Sequence, residues 1–201
     1  MLDALEADYK RALDLTFDAL TTPERLNVLE RWERFRRWQP AVEHGLINEL
    51  THEDPEVLGG KLAPVLANRL RITRADAARR VHEAADLGPR RALNGEPLEP
   101  VLAATAAGQR AGELGPAHVA VIRAFWQRLP ECVDVETRVT AEAQLAGWAA
   151  STAPTSWPNW PTNSPTASTP TATSPTSTAP NAAASYWATP TSTGCPASAA
   201  G

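Results

Sequence analysis

The chain has 201 residues and a formal net charge of −4, and its 19 Lys and Arg and 23 Asp and Glu residues all precede residue 151. Residues 1–150 are therefore expected to form one folded domain. Residues 151–201, rich in Pro, Thr, Ser and Ala, carry too little apolar surface to fold and are expected to form a disordered tail. No stretch approaches the roughly 18 consecutive apolar residues of a membrane span, and the acidic start "MLDALEADYK" is unlike a signal peptide. Cys132 and Cys195 are too few for a disulfide framework or a cysteine zinc site, so a cytoplasmic protein is expected.

Apolar residues recur at helical intervals throughout residues 1–150, which predicts an all-α fold. We expect an irregular bundle of about six to eight helices with helix-turn-helix-like corners. The first helix is expected at about residues 2–20. A long second helix follows "TTPER", where Thr22 is a candidate cap and Pro23 suits the first turn, and it bends at Pro40. Its predicted inward face includes Leu26, Leu29, Trp32 and Phe35.

The segment "RWERFRRW" in the second helix interleaves arginines with aromatic residues. This pattern is compatible with nucleic-acid binding. At 3.6 residues per turn, however, the aromatic residues face inward while the arginines face water beside Glu30 and Glu33. We favour this second interpretation, in which the segment is part of an amphipathic helix.

Two shorter helices are predicted in "DPEVLGGKLAPVLANRLRITRADAARRVHEAADLGPRR". Thr73 and Asp76 form a variant capping box at the start of the second of them, and Gly88 ends it. Residues 61–92 hold 8 basic and 3 acidic side chains, a local charge of +5. This basic segment has the outline of a helix-turn-helix reader, although any helical bundle contains such corners. The tentative nucleic-acid-binding residues are Arg69, Arg71, Arg74, Arg79 and Arg80.

Three further helices complete the domain. One is expected at about residues 101–111, ending at Gly112, and the next begins at Pro116 and has an apolar face that includes Val119, Ile122 and Phe125. Asp134 is the expected cap of the last helix. The residues predicted to face inward from that helix are Val139, Ala143 and Leu145.

The sequence contains no recognisable catalytic constellation. Glu49 and His52 have the spacing of helical di-iron ligands, but the second copy that such a site needs is missing from the sequence. His44 lies eight residues before His52, too far for both to bind one ion on a straight helix. No phosphate-binding glycine loop is present, and no serine precedes residue 151. We therefore expect a protein that is not an enzyme and that holds neither a metal nor a cofactor.

The motifs "LRITRADAARRVHEAADLGPRRALNGEPL" and "GELGPAHVAVI" resemble the domain of unknown function numbered 222, which occurs in the 13E12 repeat family of high-GC bacteria. The likeness covers roughly residues 20–150. In that family the helical domain is usually followed by an HNH endonuclease module. Such a module needs a histidine base and a divalent metal site, and no histidine follows His118 in this chain, so no family catalytic residue is carried over.

The tail is compatible with a change of reading frame. When "STAPTSWPNWPTNSPTAS" is back-translated and regrouped one base earlier, the codons can encode an amphipathic helix with leucines three or four residues apart. We therefore expect that a frameshift near Ala150 produced the tail and removed the nuclease half.

Three interpretations of function follow from the sequence. In the first, the chain is a truncated, non-catalytic member of a nuclease-associated family whose helical module associates with DNA or docks another protein through an incomplete helical face. In the second, it is a structural or interaction protein with a helical head and a genuine Pro/Thr-rich stalk. In the third, it is an unstable product of a decaying gene.

Overall fold

A computed structural model describes residues 1–152, which form eight helices and one short antiparallel hairpin. The helices are α1 (Leu2–Leu13), α2 (Thr22–Thr51), α3 (Pro55–Leu58), α4 (Leu62–Leu70), α5 (Arg74–Leu87), α6 (Ala103–Ala111), α7 (Pro116–Arg128) and α8 (Val135–Ser151). The hairpin strands are β1 (Arg90–Arg91) and β2 (Pro97–Leu98). The predicted all-helical fold is confirmed. In this part of the chain no helix is long and apolar enough to cross a membrane.

Side-chain caps define the starts of two helices, as the sequence predicts. The Thr73 hydroxyl accepts a hydrogen bond from the backbone N–H of Asp76 at 3.1 Å, where α5 begins. The Asp134 carboxylate accepts one from the backbone N–H of Thr137 at 2.8 Å, where α8 begins. Each cap satisfies one of the backbone donors that a helix start leaves without an intrahelical partner.

The connection between α1 and α2 differs from the prediction in two details. The first helix ends at Leu13 rather than at about residue 20. The cap of α2 is Thr21, one residue earlier than expected, and Thr22 is the first helical residue. The Glu24 carboxylate reaches back to the Thr21 backbone N–H at 2.7 Å and so completes a capping box.

Aromatic rings join α1 to α2. The ring of Tyr9 lies 5.5 Å from that of Trp32 and 5.7 Å from that of Phe35, between centroids. Both α2 rings are partly buried, as the amphipathic interpretation of "RWERFRRW" predicts, whereas the third aromatic residue of this segment, Trp38, is 42% exposed. The prediction was wrong for Leu26 and Leu29, which are 56% and 60% exposed. The helical period places them on the same face as the rings, but the short α1 does not cover them.

The core consists of three small clusters that connect the helices in chain order. The first joins α2, α4 and α5 through Ile47, Leu66, Ala67, Ala77 and Ala84. The second joins α5, α6 and α7 through Leu87, Leu102, Ala106 and Val119. The third joins α7 and α8 through Leu114, Ile122, Ala146 and Ala149. Because many of these side chains are alanines, the helices approach closely and a few buried polar side chains decide how they align.

The face that the last helix buries agrees only in part with the predicted one. Leu145 packs against the third core cluster as expected, but the other two predicted residues do not. Val139 is 48% exposed and Ala143 is exposed, whereas Glu142 is buried. The Glu142 carboxylate accepts hydrogen bonds from the backbone N–H groups of Ala104 at 3.2 Å and Thr105 at 2.6 Å, and from the Thr105 hydroxyl. Helix α6 has no side-chain cap of its own. A carboxylate from α8 therefore caps α6, and this contact sets the rotation of α8.

The hairpin between α5 and α6 was not predicted. Arg90 pairs with Leu98 and Arg91 pairs with Pro97, and the turn between them includes Gly95 at φ 85°. The sequence there indicates a turn, and two paired residues on each side of this turn form the hairpin.

The predicted disordered tail starts at Ser151. Ser151 is the last residue of α8, and residues 153–201 lie outside the described part of the chain.

Candidate functional site

The five arginines predicted to bind nucleic acid fall into two groups in the structure. Arg69, Arg71 and Arg74 are exposed, and within residues 1–152 they form no ion pair and no side-chain hydrogen bond. Arg79 and Arg80 instead form ion pairs with carboxylates of α2 and α5. We call the first three residues the arginine corner.

The arginine corner lies where α4 turns into α5. Arg71 follows the last residue of α4 and has left-handed backbone dihedrals, with φ 55° and ψ 42°. The backbone N–H of Ile72 donates to the carbonyl of Ala67 at 3.0 Å, which closes the turn. Arg74 is then the first residue of α5. The start of a helix carries partial positive charge from its backbone N–H groups, so the corner combines that charge with three guanidinium groups.

Arg79 and Arg80 have a structural role. The Arg79 guanidinium donates to the Glu83 carboxylate at 2.6 Å and also pairs with Asp76. The Arg80 guanidinium donates to Asp76 at 3.1 Å and to Glu43 of α2 at 3.0 Å. Burial raises the pKa of Asp76, but hydrogen bonds and charge from Arg79 and Arg80 outweigh this effect and hold the pKa below its ordinary value. The Arg80–Glu43 pair fastens α5 to α2, and the other pairs lie within α5.

A buried arginine fastens α5 to α7. Arg123 of α7 donates to the Asp86 carboxylate at 2.7 Å and lies 3.7 Å from the Glu83 carboxylate. Arg123 and Glu83 are both buried. A buried charge without a partner is costly, so this cluster stabilises one particular arrangement of the two helices.

The outward face of α5 has few groups for reading bases. Ala75, His82 and Ala85 are exposed on it, and Ala78 is partly exposed. Arg79 is also exposed there, but its guanidinium is engaged by Asp76 and Glu83. Direct readout in the major groove depends on longer polar side chains such as Arg, Asn or Gln. The helix-turn-helix outline is thus present, but its second helix presents mainly methyl groups where a sequence-reading helix presents donors and acceptors.

A polar cleft that the sequence did not indicate lies between α2, α5, α6 and α7. It has a volume of about 180 Å³. Its lining includes His44 and Gln109, each 3% exposed. The charged lining residues are Arg36, Glu43, Arg79, Arg80 and Glu83. In the sequence His44 was considered only as a metal ligand together with His52, and Gln109 carried no signal. The elements that bring His44 and Gln109 together are distant in the chain.

His44 is held neutral in this cleft. Burial, which is the largest cause, and the positive charges of Arg123, Arg110 and Arg79 together lower its pKa to about 4. The ring forms no hydrogen bond with any residue in the described range. At neutral pH it therefore offers one N–H donor and one nitrogen acceptor to the cleft.

Gln109 leaves a buried acceptor unsatisfied. Its Oε1 atom has no hydrogen-bond partner among residues 1–152. Nearly all buried polar atoms in folded proteins are paired, so an unpaired one requires an explanation.

The other buried histidine, His118, is at the start of α7. Its Nδ1 atom accepts from the backbone N–H of Gly115 at 3.3 Å, and its Nε2 atom lies 3.0 Å from the carbonyl oxygen of Thr152. Burial lowers the pKa of His118, the Thr152 carbonyl opposes this, and Arg37 adds to it. His118 thus connects the end of α8 to α7.

Across the described residues, no three His, Cys, Asp or Glu side chains are grouped to hold a metal ion.

The fold and these contacts define an all-helical domain with an exposed basic corner and a polar cleft. Residues 26–157 match the model of the family described as domain of unknown function DUF222. The chain belongs to this family, and the resemblance drawn from its motifs is confirmed. The match passes Ala150, where the domain was predicted to end, and stops at residue 157.

The similar relatives are uncharacterized mycobacterial proteins. Rv1128c of Mycobacterium tuberculosis H37Rv is 59% identical over 144 residues, which are 71% of this chain and 32% of the relative. Mb1179c of Mycobacterium bovis is 54% identical over 154 residues, which are 76% of this chain and 34% of the relative. The chain thus spans about one third of the length of the curated relatives it matches. No solved structure matches it.

Proposed function

We propose that residues 1–152 form a non-catalytic module that associates with nucleic acid through phosphate contacts at the arginine corner. The observation that carries this proposal is the set of three exposed guanidinium groups, without carboxylate partners in the described residues, at the start of α5. The planar guanidinium group of arginine binds a phosphate group well, often through two parallel hydrogen bonds.

The contact is independent of base sequence. The corner arginines reach phosphates, whereas the outward face of α5 presents Ala75, His82 and Ala85 to a groove. Arg79 and Arg80 do not take part, since their guanidinium groups are held by Asp76, Glu83 and Glu43. The module catalyses no reaction, as no serine precedes residue 151 and His44 contacts no hydroxyl or thiol nucleophile in this part of the chain. A cytoplasmic location agrees with a nucleic-acid partner.

Charge reversal at the corner tests the proposal. The Arg69→Glu, Arg71→Glu, Arg74→Glu triple variant is compared with the unaltered chain for binding to a fluorescent DNA duplex at low salt. Three lost phosphate contacts predict a weaker affinity by at least about tenfold and a salt dependence that is shallower by about 2.7 in log K against log salt. The matched control is Lys10→Glu, Arg31→Glu, Arg34→Glu, which makes the same change of charge on α1 and α2.

The control decides between a local contact and bulk charge. If the control variant binds as weakly as the corner variant, net charge alone governs binding and the corner is not the interface. If the corner variant binds as tightly as the unaltered chain, the proposal is wrong. The same assay with duplexes of different sequence should give equal affinities.

A second candidate function is docking of a protein partner on α2. Leu26 and Leu29 remain exposed on one face of this helix, beside the partly buried Trp32. Adjacent exposed apolar side chains are typical of surfaces that another protein covers. Replacing both leucines with Lys should leave the DNA affinity unchanged and abolish co-purification of the partner protein. Equal recovery of the same proteins by the variant and the unaltered chain would exclude this docking surface.

The predicted frameshift near Ala150 stays a prediction. Genomic DNA sequenced across codons 140–201 and translated in every frame tests it. A neighbouring frame that continues the helices into a His- and Asn-rich metal site would support the interpretation as a truncated nuclease relative. The lack of such a frame would favour the helical head with a genuine Pro/Thr-rich stalk.

A further inference from the structure

We propose that residues 1–38, which we call the helical hairpin, form an interface between two copies of this chain. In this interface α1 of each copy lies beside the first half of the other copy's α2. The inference rests on the second candidate function, because it names a second copy as the protein that covers Leu26 and Leu29. It does not depend on nucleic-acid binding at the arginine corner.

Helix α1 has few contacts with the rest of its own chain. Within residues 1–152 it buries none of its side chains. The Tyr9 ring lies against the rings of Trp32 and Phe35, and the Gln39 side chain donates a hydrogen bond to the Tyr9 hydroxyl at 3.4 Å. An isolated helix of this length is marginally stable in water, so a further contact on α1 would stabilise it.

Four leucines are exposed at the end of the helical hairpin where α1 meets α2. Leu13, the last residue of α1, is 80% exposed, and Leu15 in the connection is 58% exposed. Leu26 and Leu29 follow near the start of α2 and are also exposed. Single exposed leucines are common on protein surfaces, whereas a group of them at one end of the molecule is typical of a surface that another protein covers.

The two helices of the helical hairpin carry opposite charges. Residues 1–20 hold five acidic and two basic side chains, and residues 21–38 hold three acidic and five basic side chains. Each ion pair formed by these residues in the described part of the chain lies inside one helix: Asp8–Arg11, Glu33–Arg36 and Glu33–Arg37. The negative charge of α1 and the positive charge of α2 therefore do not neutralise each other through an ion pair within one copy.

A second copy complements both charges at once. A polyanion such as a nucleic acid would be attracted to the first half of α2 but repelled by the acidic α1 beside it. In a two-fold dimer the acidic α1 of each copy lies beside the basic part of the other copy's α2, and the contact occurs twice. Exposed residues without an ion pair among residues 1–152 are present on both sides of this contact: Glu6 and Asp14, and Arg31 and Arg34.

Sedimentation velocity of the full chain tests for the dimer. The unaltered chain should pass from monomer to dimer as its concentration rises from about 1 to 200 µM. Leu26→Lys, Leu29→Lys should weaken dimerisation at least about tenfold, because the leucines are no longer buried. The matched control is Val57→Lys, Leu93→Lys, which makes the same change of charge at two exposed apolar residues outside the helical hairpin and should dimerise like the unaltered chain.

Charge reversal tests whether α1 of one copy contacts α2 of the other. Glu6→Lys, Asp14→Lys makes both halves of the helical hairpin basic, and Arg31→Glu, Arg34→Glu makes both acidic. Each variant alone should dimerise at least about tenfold more weakly than the unaltered chain. An equimolar mixture of the two should restore the dimer, because each α1 then meets an α2 of opposite charge. A folding defect in the variants would not be repaired by mixing.

Three results would overturn the proposal. A chain that stays monomeric at the highest concentration has no such dimer, and docking of a different protein on α2 would still be decided by the co-purification test. Species that grow beyond a dimer as the concentration rises would indicate an open-ended assembly in place of a closed two-fold contact. A mixture that associates no better than its two components would show that α1 does not lie beside the other copy's α2.

Discussion

The carboxylate of Glu142 should be a principal determinant of the stability of this domain. It lies on α8 and accepts three hydrogen bonds at the start of α6, two from the backbone N–H groups of Ala104 and Thr105 and one from the Thr105 hydroxyl. Glu142 is 2% exposed and Thr105 is fully buried, so water cannot replace the carboxylate without rearrangement. Glu142→Ala removes all three acceptor contacts at once.

The expected loss follows from the groups left unpaired. Each buried donor without an acceptor costs about 1–3 kcal/mol, and the loss of a helix cap costs about 0.5–2 kcal/mol, in partly overlapping terms. We therefore expect Glu142→Ala to lower the free energy of unfolding by about 3–5 kcal/mol. Domains of this kind have total stabilities of about 5–15 kcal/mol, so the variant should be close to unfolding. Glu142→Gln keeps one acceptor oxygen and should lose about 1.5–3 kcal/mol.

Urea denaturation followed by far-ultraviolet circular dichroism measures these differences as shifts of the midpoint at constant slope. Gln144→Ala, an exposed change on the same helix, is the control and should stay within about 0.5 kcal/mol of the unaltered chain. If Glu142→Ala loses no more than this control, the carboxylate does not cap α6 and the rotation assigned to α8 is wrong.

Two further perturbations test the packing around α5. The pKa of His44 falls from 6.5 to about 4 on folding, so the unfolded chain binds a proton that the folded chain does not, and about 2 kcal/mol of stability should be lost between about pH 7 and pH 5. His44→Leu should reduce this dependence of the unfolding free energy on pH, and His82→Gln, a change at an exposed histidine, is the control. Part of the dependence should remain, because burial also lowers the pKa of His118. An unchanged pH dependence in His44→Leu would contradict a buried, neutral His44 ring. Gly88→Ala should lower the free energy of unfolding by about 1–3 kcal/mol, because the added methyl group would lie 2.6 Å from the carbonyl oxygen of Ala84. The control is Gly147→Ala in α8, where an added methyl group meets nothing within 4 Å. This change should raise the free energy of unfolding by about 0.5–1 kcal/mol. Chemical denaturation of the two glycine variants measures both changes in stability. Equal changes would refute the close contact between residue 88 and the carbonyl oxygen of Ala84.

Local signals in the sequence predicted the helices well. Thr73 and Asp134 start α5 and α8 as expected, and Gly112 follows the last residue of α6. The apolar face of α7 was also correct, since Val119 and Ile122 are buried. These features depend on residues within one or two helical turns, so a single segment contains the information.

The prediction of which helix face points inward was wrong where the buried side chains are small or charged. In α8 the buried residues are Ala141, Glu142, Ala146 and Ala149, and hydrophobicity alone favoured the stripe that contains Val139. In α8 alanines occur on several faces of the helix, so hydrophobicity does not single out one apolar face. The contacts with α6 decide which face of α8 is buried.

The arginines of the candidate site also show what the sequence could predict and what required the structure. The sequence indicated which segment is basic, and the structure separated its arginines. Arg74 is exposed without an ion pair in the described residues, while Arg80, six positions later, is held by Glu43, 37 residues away in the chain.

The sequence by itself determined the fold class, the caps Thr73 and Asp134 of α5 and α8, the basic segment and the family. Only the tertiary structure decided which charges remain available and which are neutralised, that Glu142 caps α6 across 38 residues of chain, and that His44 and Gln109 line one cleft. The physical reason is the range of the interactions. Helix formation and capping depend on neighbouring residues, whereas ion pairs, buried hydrogen bonds and clefts exist only once helices distant in sequence have packed together.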